Sequence, residues 1–241
     1  YVRWSGLDSQ REAYSQSALH DVIEGSSLGK FIAHVSETVF QAAGVGDGPV
    51  REFWDEVFRH GVVGSLAFAA DPQPTPIITI VFPRAGEKKR AENLIHLVRG
   101  LAENPEVKTV EQDGRTLNVI ASRGAEQFVW WVEREHVVLT MASANSELPL
   151  AVATGRKPNI RSNAAFKEFQ SQGGASPILQ IWGDLERATV LMVQSKLVGA
   201  DTLAKLGLDG VKNLSYSVAF EGRGLRSELR MDAPAPRRGI V

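Results

Sequence analysis

The sequence has no cysteine, no long apolar run and no excess of charge of either sign. Without cysteine among its 241 residues, the chain can form no disulfide, no thiolate nucleophile and no zinc site with sulfur ligands. No apolar stretch approaches the roughly 20 residues that a helix needs to cross a bilayer. The 27 Lys and Arg residues nearly balance the 28 Asp and Glu residues. We therefore expect no nucleic-acid partner, no attraction to anionic membranes and no transmembrane segment.

Motifs that would assign a reaction are missing as well. The five histidines are scattered with no H-E-x-x-H spacing, and no G-x-S-x-G turn marks an acyl-transfer nucleophile. His34 and Glu37 have a spacing that suits two metal ligands on a helix, but further ligands would have to come from elsewhere. We interpret this pair as a solvated helix face. The sequence thus predicts no catalytic residue, no metal site and no cofactor.

The glycine-rich segments also have structural explanations. The segment "GVGDGP" contains Gly44, Gly46 and Gly48, but it follows a predicted helix and leads to Pro49. A dinucleotide-binding loop instead follows a strand and opens a helix, so we interpret this segment as a helix end and a linker. The segment "EGRG" lies between two predicted strands and is typical of a hairpin turn. Neither segment predicts a phosphate site.

The residues that are present, 43% hydrophobic and 23% charged, have globular composition and clear periodicity. The predicted strands are 1–4, 62–70, 76–82, 115–121, 127–133, 136–142, one starting at 177, and a hairpin over 213–232. The main predicted helices lie within 28–41, 50–60 and 86–105. Because hairpins dominate the connections, we predict an α+β fold in which helices cover one face of a largely antiparallel sheet.

Apolar stripes indicate which sides of these elements should pack. The stripe of the helix within 28–41 comprises Leu28, Phe31, Ile32, Val35 and Val39. The stripe of the helix within 50–60 comprises Val50, Phe53, Trp54, Val57 and Phe58. In the last strand, Leu225, Leu229 and Met231 alternate with Arg226, Glu228, Arg230 and Asp232. We expect each apolar set to face a core and each polar set to face water.

The opening segment "YVRWSGLDSQREAY" predicts a strand that turns sharply into a helix. Gly6 allows the turn, and the S-x-x-E spacing of Ser9 and Glu12 predicts a capping box at the helix start. The segment "PILQIWGDLERATVLM" has the same order of strand, tryptophan, glycine and charged helix. We therefore predict that Gly6 and Gly183 occupy equivalent corners of an internal repeat.

The change in composition between Ser146 and Ser176 suggests a boundary. We predict a complete α+β unit over 1–145, a linker with short helices over 146–176, and a partial second unit over 177–241. The chain begins at Tyr1 with neither Met nor a leader, which suggests a trimmed fragment whose targeting segment, if it had one, is not shown.

The segment "FVWWVEREHVVLTM", which covers two predicted strands and the turn between them, contains the one candidate binding residue, Trp131. Because successive strand residues point to opposite faces, Trp130 lies on a core face and Trp131 on the other. A turn at Arg134 and Glu135 would bring Trp131 beside Val138. If Trp131 is exposed, we expect it to contact a partner or ligand, whereas the alternative is burial under the second unit.

Three segments carry a family resemblance: "YVRWSGLDSQREAYSQSAL", "RSNAAFKEF" and "LAKLGLDGVKNLSYSVAFEGRG" with the ending "DAPAPRRGIV". They resemble the bacterial family called domain of unknown function 3352, particularly its planctomycete members. The resemblance implies a location outside the cytoplasm and a repeat architecture. It implies no catalytic residues.

Two functions remain after these exclusions. The first is a non-catalytic extracytoplasmic binding or scaffold protein that presents a surface to an unknown protein or an apolar ligand. The second is a hydrolase whose site is assembled only in the fold. Exposed aromatics on a broad sheet face would favour binding. Convergent carboxylates with shifted pKa values, or a histidine with an orienting acid, would favour the enzyme.

Overall fold

A computed structural model describes residues 1–42, 49–69, 75–101, 106–121, 126–143, 148–157, 159–171, 176–194, 198–205, 207–208 and 210–233. The strands are β1 Val2–Trp4, β2 Val62–Ala69, β3 Thr75–Phe82, β4 Val107–Gln112, β5 Arg115–Ala121, β6 Glu126–Glu133, β7 His136–Ser143, β8 Leu179–Asp184, β9 Asn213–Glu221 and β10 Gly224–Asp232. The helices are α1 Arg11–Ser15, α2 Ala18–Gly25, α3 Ser27–Ala42, α4 Pro49–His60, α5 Lys88–Leu101, α6 Leu148–Ala153, α7 Ala164–Ser171, α8 Leu185–Gln194 and α9 Ala200–Lys205. The predicted α+β class is confirmed.

The ten described strands form one sheet in the order β10-β9-β8-β1-β2-β3-β7-β6-β5-β4. The pairs in this order are antiparallel. The short strand β1 lies in the interior, where Arg3 is opposite Val63 of β2 and Gln180 of β8. Strands β4 and β10 form the two ends of the sheet.

Helices cover both faces of this sheet. The first face carries Phe82 and Val137, which pack with Val57 of α4 and with Ala91 and Leu94 of α5. The second face carries Trp131 and Val138 of β6 and β7, which pack with Leu150 of α6. Farther along the second face, Trp182 packs with Phe166 and Phe169 of α7. The prediction that helices cover only one face is therefore wrong, because α6 and α7 pack on the opposite side from α4 and α5.

The opening corner depends on two glycines that approach each other's backbone. Gly6 has a φ of +81°, and a Cβ there would lie 2.5 Å from the carbonyl oxygen of Arg59. Gly61, at the end of α4, has a φ of +88°, and its Cβ would lie 2.5 Å from the carbonyl oxygen of Trp4. Any side chain at either position would combine an unfavourable backbone conformation with a clash.

The predicted capping box is absent. The Ser9 hydroxyl donates to the carbonyl oxygens of Ser5 at 2.7 Å and Gly6 at 2.8 Å. Ser9 lies inside a short 3₁₀ turn, Asp8–Gln10, and α1 begins after it without a side-chain cap. The hydroxyl satisfies carbonyl groups of the corner instead of the amide groups of a helix start.

The internal repeat stays a prediction. Strands β1 and β8 are adjacent, and each is followed by helices and then by an antiparallel strand pair. Gly183 lies within β8 and, unlike Gly6, is not among the described glycines with positive φ, so the two positions differ in backbone conformation. The two short helices predicted within 146–176 are present as α6 and α7. The division into three segments also stays a prediction.

Candidate functional site

Trp131, the predicted binding residue, lies in the core of the second face. Its side chain is 2% exposed and packs with Leu117, Val138 and Leu150. The register of β6 and β7 is the predicted one, with Trp130 opposite Leu139 and Trp131 opposite Val138. Trp131 is therefore not exposed, so the condition for the expected contact with a partner or ligand is not met. Helix α6, which lies in the predicted linker, covers the Trp131 side chain.

An ion pair between Arg115 and Glu133 lies at the polar end of the β6–β7 hairpin. The Nε1 group of Trp131 donates to Glu133 at 3.1 Å, and Arg115 donates to both oxygens of the same carboxylate at 2.6 and 2.8 Å. These contacts, with Arg115 contributing most, lower the pKa of Glu133 below its usual value of 4.5. The carboxylate is held as an acceptor for its own neighbours, so it is poorly suited to act as a general acid.

A histidine with nearby acids occurs at the end of α4. Nδ1 of His60 lies 3.3 Å from Asp8, and Nε2 lies 3.5 Å from Glu56. Arg90 also donates to Glu56 and to the carbonyl oxygens of the Pro83 and Arg84 backbone. This is the arrangement that we expected to favour the enzyme.

Both ring nitrogens of His60 are directed at carboxylates of the protein itself. A general base needs one ring nitrogen directed at a substrate or nucleophile, and here each nitrogen faces a carboxylate of the protein. Glu56 is in turn shared with Arg90. In the part of the chain that the structure describes, no cluster of three His, Asp or Glu side chains could hold a metal ion. The contacts of His60 and Arg90 with Asp8 and Glu56 join the 3₁₀ turn, α4 and α5.

Three large apolar side chains of α3 are exposed, and one of them, Phe31, has the highest exposed fraction of the large apolar side chains described on the helices. Leu28 is 48% exposed, Phe31 62% and Val35 39%. We call these three residues the α3 stripe. The expectation that they pack against the core is wrong, because all three are exposed. Glu37 of the same helix accepts a hydrogen bond from Arg51 of α4 at 2.5 Å. At about 100° per residue, Glu37 lies on the side of the helix away from the stripe.

A second exposed apolar surface lies on α4. Trp54 is 42% exposed and Phe58 is 48% exposed, and their ring centroids are 6.3 Å apart. Phe58 also contacts the edge of the Trp4 ring at a centroid distance of 6.2 Å. We call these three rings the aromatic patch. Arg51, which binds Glu37 of α3, shares one side of α4 with Trp54 and Phe58, because the three follow the i, i+3, i+7 spacing.

The periodicity of the sequence identified these side chains but predicted them to be buried. Within the same helix, Phe53 and Val57 do pack in the core, as predicted. Of the metal-like pair, Glu37 is bound to Arg51 and Gln41. The glycines of "GVGDGP" lie outside the described residues. The structure brings no other predicted site residue to Trp131.

No family model matches the chain, and no curated protein matches its sequence. The resemblance to domain of unknown function 3352 therefore stays a prediction. Among the described helices, none has both the length and the apolar character that crossing a membrane requires.

Proposed function

We propose that the protein is a non-catalytic extracytoplasmic binding or scaffold protein, and that it binds a partner protein through the α3 stripe and the aromatic patch. The observation that carries this proposal is the α3 stripe itself. Three large apolar side chains lie at i, i+3 and i+7 on the side of α3 away from Glu37, and Phe31 is 62% exposed. Exposed apolar surface of this kind is typical of interaction sites.

A partner protein suits this surface better than a small apolar ligand. Small-molecule sites are concave and enclose most of the ligand, whereas the stripe lies on the outer side of a helix. An amphipathic helix with anchors at i, i+3 and i+7 commonly binds in a hydrophobic groove of another protein. The aromatic patch adds a second exposed apolar surface and supplies tryptophan, which contributes strongly at interfaces.

A photo-reactive amino acid placed at position 31 tests this proposal in cells of the source organism. We expect a discrete covalent adduct with one partner, because Phe31 is the most exposed anchor of the stripe. The matched control carries the same amino acid at Lys30, on the same helix but turned about 100° towards the polar side. Phe31→Glu, introduced with the photo-reactive residue at Val35, should abolish the adduct. Equal labelling from positions 30 and 31 would contradict the proposal.

The location outside the cytoplasm rests on the family resemblance alone. Fractionation of source cells, with detection of the native protein by antibody, tests it separately from the binding surface. We expect the protein outside the cytoplasmic fraction. Recovery with cytoplasmic markers would refute the location while leaving the α3 stripe as a binding surface.

The alternative function is a hydrolase, and the contacts of His60 with Asp8 and Glu56 are the observation that favours it. Ester, amide, glycoside and phosphate model substrates would be tested with the wild type and with His60→Gln. The binding proposal predicts background rates for both proteins. Turnover by the wild type that is lost in the variant would establish the hydrolase instead.

A further inference from the structure

Strand β10 is an end strand of the sheet, and within the residues that the structure describes only β9 pairs with it. It pairs with β9 without interruption from Gly224 opposite Glu221 to Asp232 opposite Asn213. Its nine residues, GLRSELRMD, include neither proline nor lysine, and every one except Glu228 is exposed. In an end strand, alternate N–H and C=O groups point away from the sheet and can pair with another strand.

The side chains of β10 alternate in charge along one face. Arg226, Glu228, Arg230 and Asp232 lie on the second face of the sheet, in the order positive, negative, positive, negative. The first face carries the exposed residue Leu229, which lies at the centre of this series and is 64% exposed. A strand with this order of charges is complementary to an antiparallel copy of itself.

We propose that β10 pairs antiparallel with β10 of a second copy of this chain, with the two-fold axis at Leu229. In this register Glu228 lies opposite Arg230 of the second copy, and Arg226 lies opposite Asp232 of the second copy. The symmetry generates each contact twice. Leu229 meets its own copy on the first face, where cross-strand apolar pairs add stability. The two sheets become one continuous sheet across the interface.

The charges distinguish this register from its neighbours. In any other register that keeps the first faces of both copies on the same side, the two-fold axis lies at a different residue, and the nearest choices are Glu228 and Arg230. With the axis at Glu228, Arg226 would lie opposite Arg230 of the second copy, and Glu228 would lie opposite Glu228 of the second copy. With the axis at Arg230, Glu228 would lie opposite Asp232 of the second copy, and Arg230 would lie opposite Arg230 of the second copy. Both alternatives place like charges directly opposite each other, which is destabilising.

The ion pairs within one copy are compatible with this pairing. Glu228 contacts Arg230 and lies 3.8 Å from Arg226, which also lies 3.4 Å from Glu221. The two arginines are 60% and 44% exposed, so these intrachain pairs are solvent-screened and their carboxylates can be shared with a second copy. The opposite end of the sheet lacks this complementarity, because the six residues of β4 include Lys108 and a single acidic residue, Glu111.

Single-cysteine variants test the two-fold axis, because the chain has no cysteine of its own. Residues directly opposite in antiparallel strands have Cα atoms about 4.5–5.5 Å apart, within the range of a disulfide. We expect Leu229→Cys to form a disulfide-linked dimer on mild oxidation. The matched control is Leu225→Cys, on the same face and 50% exposed, whose copies would lie roughly 26 Å apart. Equal cross-linking of the two variants would overturn the proposal.

Charge exchange tests the register by sedimentation of the uncross-linked chain. Glu228→Arg puts two pairs of like charges in contact and should weaken the dimer about tenfold. The double variant with Glu228→Arg and Arg230→Glu recreates both opposite-charge contacts and should restore it. Lys108→Glu on β4 is the control and should change nothing. A wild-type chain that stays monomeric at high concentration, or a double variant that fails to recover, would refute the proposal, which does not depend on the α3 stripe.

Discussion

Strands β6 and β10 both offer apolar side chains, yet their surroundings are opposite. In β6 the adjacent residues Trp130 and Trp131 point to different faces, and each is 2% exposed. In β10, Leu225 is 50% exposed and Leu229 is 64% exposed. The expectation that the apolar face of β10 packs against a core is wrong. Strand β6 lies inside the sheet with α6 on one face, whereas β10 lies at its end.

The difference shows that alternation alone does not determine burial. Alternating residues share a face because of strand geometry, and this holds for β6 and β10 alike. Whether that face is covered depends on which helices the chain packs there. The same contrast separates Phe53 and Val57 of α4, which are in the core, from the α3 stripe, which is exposed.

The largest effect is expected from Trp131→Ala, which removes a large buried ring and its hydrogen bond to Glu133. We expect a loss of about 3–5 kcal/mol in the free energy of unfolding, because such truncations leave a cavity. Urea denaturation followed by circular dichroism measures the change. A loss below about 1 kcal/mol would mean that α6 does not cover β6 as described.

The next effect compares two glycines with positive φ, one in the interior corner and one in the exposed hairpin. Gly6→Ala should cost about 3 kcal/mol, because backbone strain adds to a clash with the carbonyl oxygen of Arg59. Gly222, in the turn between β9 and β10, has a φ of +56°, and a Cβ added there would have nothing within 4 Å. Gly222→Ala should therefore cost only about 1 kcal/mol. Equal losses in thermal unfolding would remove the distinction.

A smaller effect is expected from the pH dependence of the ion pair beside Trp131. Arg115 lowers the pKa of Glu133 in the folded state, so the carboxylate stabilises the fold at neutral pH. This contribution is lost as the pH falls below the usual value of 4.5 and through the lowered folded pKa. Glu133→Gln should be less stable than the wild type at neutral pH, and the difference should shrink in acid. A difference that is constant with pH would contradict this assignment.

The smallest effect is expected from Leu229→Ala on β10. The side chain is mostly in water, so its truncation should change the free energy of unfolding by no more than about 0.5 kcal/mol. The measurement is made at low protein concentration, where self-association does not contribute. A loss comparable to that of Trp131→Ala would show that an element covers the hairpin.

Much of the secondary structure could be predicted from periodicity. Strands β2, β3, β5, β6 and β7 lie within a residue or two of their predicted limits. Strand β4 was not predicted, because most of its side chains are polar or exposed and it carries little apolar signal. The antiparallel register around Trp131 could also be predicted, since the turn at Arg134 and Glu135 fixes which residues face each other.

The candidate surface could not be predicted, for a physical reason. The spacing of Leu28, Phe31 and Val35 is the same whether the helix packs against a core or stands exposed. The deciding contact, from Arg51 to Glu37, joins residues on different helices and has no local sequence signature. Ser9 is a similar case, because the carbonyl oxygens of Ser5 and Gly6 come within hydrogen-bond distance of its hydroxyl only once the corner at Gly6 has formed.

Amide hydrogen exchange of the intact chain, read strand by strand, tests most directly the claim that one part of the sheet is covered and the other is open. We expect the amides of β6 and β7 to exchange slowest, at a rate set by global unfolding. The outward amides of β10 should exchange fast in dilute solution and slow down as the protein concentration rises. Equal protection of β6 and β10 in dilute solution would contradict the account.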